Sequence, residues 1–342
     1  MGGCHLSGGN TMVSVGCGSG KLLLFGEHSA VYGHPAVGIG LPWGIKVSIT
    51  ETGLQEWELP SLLPEEGTNL RKLIDFAVNH FPALKKLGGM RVTIESDIPI
   101  SMGFGSSAAL CVALIKAFVT LLAGKVLPGS IARELGRSID FLWRLANRAE
   151  QIFHGKPSGV DTGLSLMGNI QSFQFSGAGM PKNRTLRTDP FYLVIGGIPR
   201  SSNTNELVAR VAAGMQAGDT AVCSRIASLG KLAEEAVCEL KRSPKLVAAI
   251  LGRLADRAHE QLKGLGLSSA ELDAILDLGR ECGAIGGKLS GAGGGGAFYL
   301  VAADLDSAQR IAAAVEAAFG GQAGEPFAVA VLVHNGRSTE LI

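Results

Sequence analysis

PISMGFGSSAAL, residues 99–110, places Gly103, Gly105 and the hydroxyls of Ser106 and Ser107 immediately ahead of the run SAALCVALIKAFVTLLAG. That run is apolar nearly all round and ends at Gly124, which predicts a buried helix. A glycine-rich turn at the mouth of a helix has a plain chemical use. Without side chains its amides converge on one point, and the helix N-terminus adds partial positive charge there. The stretch therefore predicts a phosphate cradle, in which one serine donates to a phosphate oxygen and the other takes a place on Mg2+ bridging phosphates. A tight strand-to-helix turn with Ser106 or Ser107 as N-cap would account for the same residues without a ligand.

Two better-known phosphate loops fail here. The nearest approaches to G-x-x-x-x-G-K-[ST], GCGSGKL and GAIGGKL, have one residue too few between the glycines and Leu after the Lys. A dinucleotide fold needs a second strand carrying an acid after the helix, whereas AGKVLPGS leads straight into another helical pattern.

Composition sets the outer limits. The chain has 342 residues, 46% hydrophobic and 18% charged, enough for about two domains with substantial cores. A net charge of +1 gives no global attraction to nucleic acid or to an acidic membrane, so an anion must be held by a local device. The six cysteines (Cys4, Cys17, Cys111, Cys223, Cys238 and Cys282) show neither CxxC spacing nor a disulfide framework, which suits a reducing cytoplasm. MGGCHLSGGNTMVSV lacks the build of a secretory signal, and Leu6 stands where a myristoylation signal wants Ser or Thr. The first ten or so residues are expected as a loose tail. No apolar run is expected to reach the ~18–20 residues that span a bilayer.

Along the chain, residues 13–25 read as a strand entering a Gly-Glu-His turn, and AVGIGLPWGIKVSITET as further strand broken by glycine and proline. NLRKLIDFAVNHF is helical in period, through Leu70, Leu73, Ile74, Ala77 and Val78, and MRVTIESDIPI alternates like a half-buried strand. A helix from about Ser130 to His154 carries Ile131, Leu135, Ile139, Leu142, Leu145, Ala149 and Ile152 on one stripe, stopped by Gly155 and Pro157. The turn-rich stretch Ser176–Asp189 is the expected domain boundary, dividing the chain into 1–188 and 189–342. LSGAGGGG is a glycine turn ahead of a strand, AFYLVAA, a helix, SAQRIAAAVEAAF, and a last strand, FAVAVLVH.

Two further loops bear on the first. GKLLLFGEHSAVYGHPAVGIGLP (residues 20–42) concentrates Lys21, Glu27 and His28 about one turn, and KLSGAGGGGAFYL (residues 288–300) holds a four-glycine run. Together with the central loop these resemble, in order and spacing, the three signature motifs of the GHMP small-molecule kinases. Within them, GKLLLFGEHSAVYGHPA is similar to the mevalonate kinases, as is EQIFHGKPSGVDTGLS, which sets Glu150 eleven residues before Asp161. The sequence departs from that pattern at Lys156, where the family usually has Asn, and at Phe104, where it usually has Leu. In IPRSSNTNELVARV two additional residues leave the family threonine at Thr204, counted back from Leu207, or at Ser202, counted forward from Arg200.

The resemblance implies an α+β, two-domain GHMP kinase fold, with a ribosomal-protein-like N-terminal domain, a ferredoxin-like C-terminal domain and the active site in the cleft between them. It implies phosphorylation of the primary 5-hydroxyl of mevalonate by ATP, in isoprenoid precursor synthesis, with a homodimer as the assembly to test for. Gly103, Gly105, Ser106, Ser107 and Ala108 would then wrap the ATP phosphates, and Ser107 and Glu150 would hold Mg2+. Asp161 would act on the acceptor alcohol with Lys21 beside it, and Glu27, His28 and Thr204 would face mevalonate. Other readings on the same motifs are a phosphomevalonate kinase, a kinase for the tertiary hydroxyl, a decarboxylase that phosphorylates transiently, and a kinase-like sensor without turnover. A solvated Glu150, an Asx-turn at Asp161 and a core histidine at His28 are the structural explanations of those residues.

Overall fold

The computed structural model describes residues 4–7, 11–53, 56–60, 64–99, 102–125, 138–177, 179–199, 204–320, 327–334 and 337–341. The chain forms two compact units interleaved in sequence, one from Met1–Gly20, Trp43–Ile98 and Gly105–Met167, the other from Lys21–Pro42, Pro99–Phe104 and Gly168–Ile342.

The first unit begins with β1 (Cys4–Ser7), paired antiparallel with the start of β2 (Thr11–Phe25) from Cys4↔Ser14 to Ser7↔Thr11. Part of the expected loose tail is thus a strand. β3 (Ala36–Glu51) runs unbroken through its glycines and Pro42, again unlike the expectation, and its second half pairs with β4 (Met90–Ser96) from Ile45↔Ser96 to Glu51↔Met90. Between them α1 (Pro64–His80) buries Leu70, Leu73, Ile74 and Ala77, the face its period predicts.

Helix α2 (Ser106–Lys125) carries the central loop at its start. Its residues from Cys111 to Ile115 are buried in succession, as a helix apolar all round requires. By length and composition its Ser106–Gly124 span could cross a membrane, which corrects the sequence expectation; the span is mostly buried inside the protein, and that burial accounts for its composition.

The glycines rejected as a nucleotide loop explain how α2 sits. A Cβ on Gly16 would lie 2.1 Å from the Ala113 carbonyl oxygen, and one on Gly18 2.2 Å from that of Ala109. Alternate residues of a strand share a face and residues four apart share a helix face, so two glycines meet two alanines and α2 lies directly on the β2 backbone.

Helices α3 (Ile139–His154) and α4 (Val160–Met167) pack on α2 and on each other. Ser138 caps α3 by accepting from the Phe141 amide at 3.3 Å. Leu142, Leu145 and Ala149 are buried, but Ile139, expected on the same stripe, is 56% exposed in the first turn. Ile131 and Leu135 lie outside the described residues.

In the second unit the first part of β3 pairs with β5 (Gln171–Gln174), from Ala36↔Phe173 to Gly38↔Gln171, and β5 pairs with β6 (Lys182–Thr185). β6 falls inside the stretch read as a turn-rich boundary. It has no apolar residue and is exposed along its length, so pairing with β5, supported by Asn183 Nδ2 donating to Gln171 Oε1 at 3.1 Å, defines it.

Strand β7 (Phe191–Ile198) is followed by α5 (Thr204–Gln216), α6 (Thr220–Arg242), α7 (Val247–Gly264) and α8 (Ala270–Glu281). Then come β8 (Gly286–Leu289), β9 (Gly296–Ala302), α9 (Leu305–Phe319), β10 (Phe327–His334) and β11 (Arg337–Leu341). The strands form an antiparallel sheet in the order β11-β10-β7-β9-β8, with α7 packed on β8 and α9 on β10 and β7. Every residue of β8 and β9 is buried, so these strands read as continuous apolar runs except at one position, Lys288.

Candidate active site

The residues singled out by sequence fall into two groups, one in each unit. In the first unit the ladder of α2 starts with the Ala109 amide donating to the Gly105 carbonyl at 2.9 Å, so Gly105, at φ 78°, stands at the N-cap in place of either serine. The amides of Ser106, Ser107 and Ala108 precede that bond and carry the positive end of the helix.

Ser107, half-buried, turns its hydroxyl toward α3: Oγ donates to Glu150 Oε1 at 3.5 Å and lies 3.1 Å from His154 Nε2. Glu150 is 2% exposed, which overturns the solvated-surface explanation. A carboxylate so placed is costly unless something in the site needs it. Its charge, added to the larger effect of burial, pushes the neighbouring Cys111 thiol well up from its usual value.

Asp161 is half-buried in the first turn of α4, where the helix dipole favours an anion. The turn before it is fastened to α3: Trp143 Nε1 donates to the Gly159 carbonyl at 2.7 Å and Asn147 Nδ2 to that of Pro157 at 3.4 Å. Lys156, the departure from the family pattern, is exposed, so a long cation is accommodated there without burial.

In the second unit Lys21 is buried on β2, and its amide donates to the Phe104 carbonyl at 2.8 Å, tying that strand to the central loop next to Gly103, at φ 86°. Phe104 is 1% exposed and packs against Phe327, ring centroids 5.8 Å apart, so the larger side chain has a core place.

The Gly-Glu-His turn follows. Gly26 has φ 104°, and a Cβ there would come within 2.7 Å of Ala36 Cα. Glu27 is buried in an ion pair with Lys288. His28 sits at φ 56°, uncommon for a residue with a side chain, and its Nε2 lies 3.1 Å from the Ala292 carbonyl of the last glycine loop. Burial holds the His28 imidazole below its ordinary value, against the opposing effects of that carbonyl and of Glu27. Thr204 is the first residue of α5, and Ser202 lies outside the described residues.

Two participants were not singled out by sequence. His154 is four residues after Glu150, a spacing that shares a helix face and could have flagged it. Lys288 was quoted within its loop but given no role; a charge interrupting a buried strand was its signal.

The family model described as GHMP kinases N terminal domain matches residues 70–169, and GHMP kinases C terminal matches residues 233–321. The chain belongs to the GHMP kinase family and has its two-domain fold of mixed helix and sheet. Within that family it is similar to mevalonate kinases. That of Thermococcus sibiricus is 29% identical over 326 residues, covering 88% of this chain and 92% of the relative. That of Thermococcus onnurineus is 30% identical over 317 residues, covering 84% and 88%. In fold, the crystal structure of L. major mevalonate kinase in complex with R-mevalonate matches with a TM-score of 0.77, 23% identity and coverage of 94% of this chain and 96% of that one.

Proposed function

We propose that the chain transfers the terminal phosphoryl group of ATP to the primary 5-hydroxyl of mevalonate, giving 5-phosphomevalonate and ADP. The observation that carries this is the Ser107 hydroxyl, at the N-terminus of a glycine-led helix, 3.5 Å from a buried carboxylate on a second helix. The acceptor follows from relatives named mevalonate kinases that cover most of the chain. The halves 1–188 and 189–342 are proposed as the N- and C-terminal kinase domains, in line with the two family matches.

Gly103, Gly105, Ser106, Ser107 and Ala108 are assigned to the ATP phosphates, through main-chain amides and the helix dipole. A divalent cation such as Mg2+ suits the donor set, since Ser107 and Glu150 offer hard oxygens and Mg2+ needs only one or two protein ligands besides phosphates and water. When bound it neutralises phosphate charge.

Phosphoryl transfer through a loose transition state depends on positioning and charge more than on proton removal. Asp161, at its helix N-terminus, receives the alcohol proton late, as the oxygen bonds to phosphorus. Lys21 supplies a positive charge that keeps an acid ionised and lowers an alcohol's pKa. Glu27, His28 and Thr204 belong to the acceptor side. A cytoplasmic setting suits the unpaired thiols among the described residues.

ADP release measured with mevalonate, phosphomevalonate, galactose, homoserine and shikimate tests the proposal. Release with mevalonate alone supports it; release with another alcohol and none with mevalonate contradicts it.

A further inference from the structure

We propose that Lys288 is a positioning residue for acceptor binding: its sealed ion pair with Glu27 holds the Gly26–His28 turn in the shape that lets His28 meet the alcohol. The inference rests on the acceptor-side assignment of His28 above.

Lys288 and Glu27 are 261 residues apart, with side chains 0% and 1% exposed. Burying both charges costs several kcal/mol per ion, and a site that only needed filling would do as well with apolar side chains. The surroundings are built for the cation. Lys288 Nζ donates to Glu27 Oε1 and, at 2.6 Å, to the Leu289 carbonyl, and it lies 5.4 Å from the Tyr299 ring centroid and 5.9 Å from that of Phe25. Glu27 Oε2 is buried with no hydrogen-bond partner among the described residues, so Lys288 is what compensates this carboxylate.

The pair is the central tie of a series. Ser290 Oγ donates to the Leu23 carbonyl at 2.8 Å and accepts from the Leu23 amide at 3.1 Å. Tyr299 Oη donates to the Leu24 carbonyl at 3.0 Å, and His28 Nε2 lies 3.1 Å from the Ala292 carbonyl. The chain from Leu23 to His28 is thus tied at Leu23, Leu24, Glu27 and His28 to β8, the glycine loop and β9. His28 needs such support, because a side-chain residue at φ 56° persists only where its surroundings over-determine it. On one flank the backbone at Gly26 runs so close to Ala36 that no side chain fits, and next to His28 the ion pair fixes Glu27. Glu27, which the family resemblance implies would face the acceptor, is 2% exposed and therefore acts on it through the turn.

The test compares the full chain with Lys288→Met, Glu27→Gln and the double variant, measuring melting temperature and separate KM values for acceptor and ATP. Lys288→Met strands a buried carboxylate and is expected to melt far lower. The double variant removes both charges and is expected to regain most of that stability, yet to keep an acceptor KM raised about tenfold with the ATP KM within about twofold. Recovery of the acceptor KM together with stability would make the pair merely structural and overturn the inference. Should the double variant not fold, Glu27→Gln decides, since its amide oxygen still accepts from Lys288: an acceptor KM raised by about threefold or more with ATP KM unchanged supports the inference, and an unchanged acceptor KM overturns it. If the wild type turns over another alcohol, the substrate assignment fails and the inference is judged on that alcohol's KM. Turnover of none overturns both.

Discussion

Glu150→Gln separates function from stability at the centre of the phosphate site. The substitution keeps the shape of a side chain that is 2% exposed and removes its charge. Folding has little to lose, because an ionised carboxylate in that place is a burden that a neutral amide lightens. Binding has much to lose, because one of two oxygen donors to a divalent ion changes from anion to dipole. A hydrogen bond or contact to a charged group contributes about 1.5–3 kcal/mol, which at ~1.36 kcal/mol per decade is a loss of roughly 10- to 150-fold. The assay is ADP release at fixed ATP across a titration of free Mg2+, with thermal melting in parallel. A half-saturating Mg2+ concentration raised by that factor, with melting held within a few degrees, is the expected pattern. Wild-type Mg2+ dependence in the variant would refute the assignment of Glu150.

Gly18→Ala puts a Cβ 2.2 Å from the Ala109 carbonyl oxygen, a backbone atom that cannot swing away, and is expected to cost ~1–3 kcal/mol and to raise the ATP KM by displacing the start of α2; chemical denaturation and kinetics check both. Gly67→Ala, in α1 with nothing within 4 Å of the new Cβ, is expected instead to stabilise by about 0.5–1 kcal/mol. His259, 3% exposed and 3.1 Å from Asp273 Oδ1, is held below its ordinary value near 6.5 by burial, which outweighs Asp273, while Lys288 and Arg280 act in the same direction as burial. The unfolded chain therefore binds the extra proton first, so this stability is present above about pH 6.5 and is lost as pH falls from there through the depressed folded value. Denaturant midpoints should drop on the acid side, less steeply in His259→Gln. Lys21→Met is expected to lower kcat about 100-fold or more with ATP affinity nearly unchanged, as read by steady-state kinetics and calorimetry.

What the sequence made legible is what local pattern encodes. The helix after Gly105, the stripe of α1 and the glycine loop before β9 each follow from period and turn chemistry within a dozen residues. β6 escaped because Lys182–Thr185 has no apolar alternation and is a strand only through its partner. The burial of Glu150 escaped because a carboxylate near a helix end ordinarily faces water, and what covers it is the packing of α3 among its neighbouring helices, a long-range contact that no local pattern encodes. The partner of Glu27 could not be read at all, since no local rule links residues 261 apart. Gly16 and Gly18 entered the sequence reading only as part of a stretch that fails as a phosphate loop; their meaning, a helix lying on a strand backbone, needed the fold.

The most direct measurement is of Asp161→Asn: kcat with mevalonate, beside the dissociation constant for ATP on the same preparation. The expected result is turnover reduced by about two to four orders of magnitude while nucleotide affinity stays within about threefold. Unimpaired turnover joined to weakened ATP binding would contradict the assignment of this carboxylate to the alcohol and, with it, the proposed chemistry.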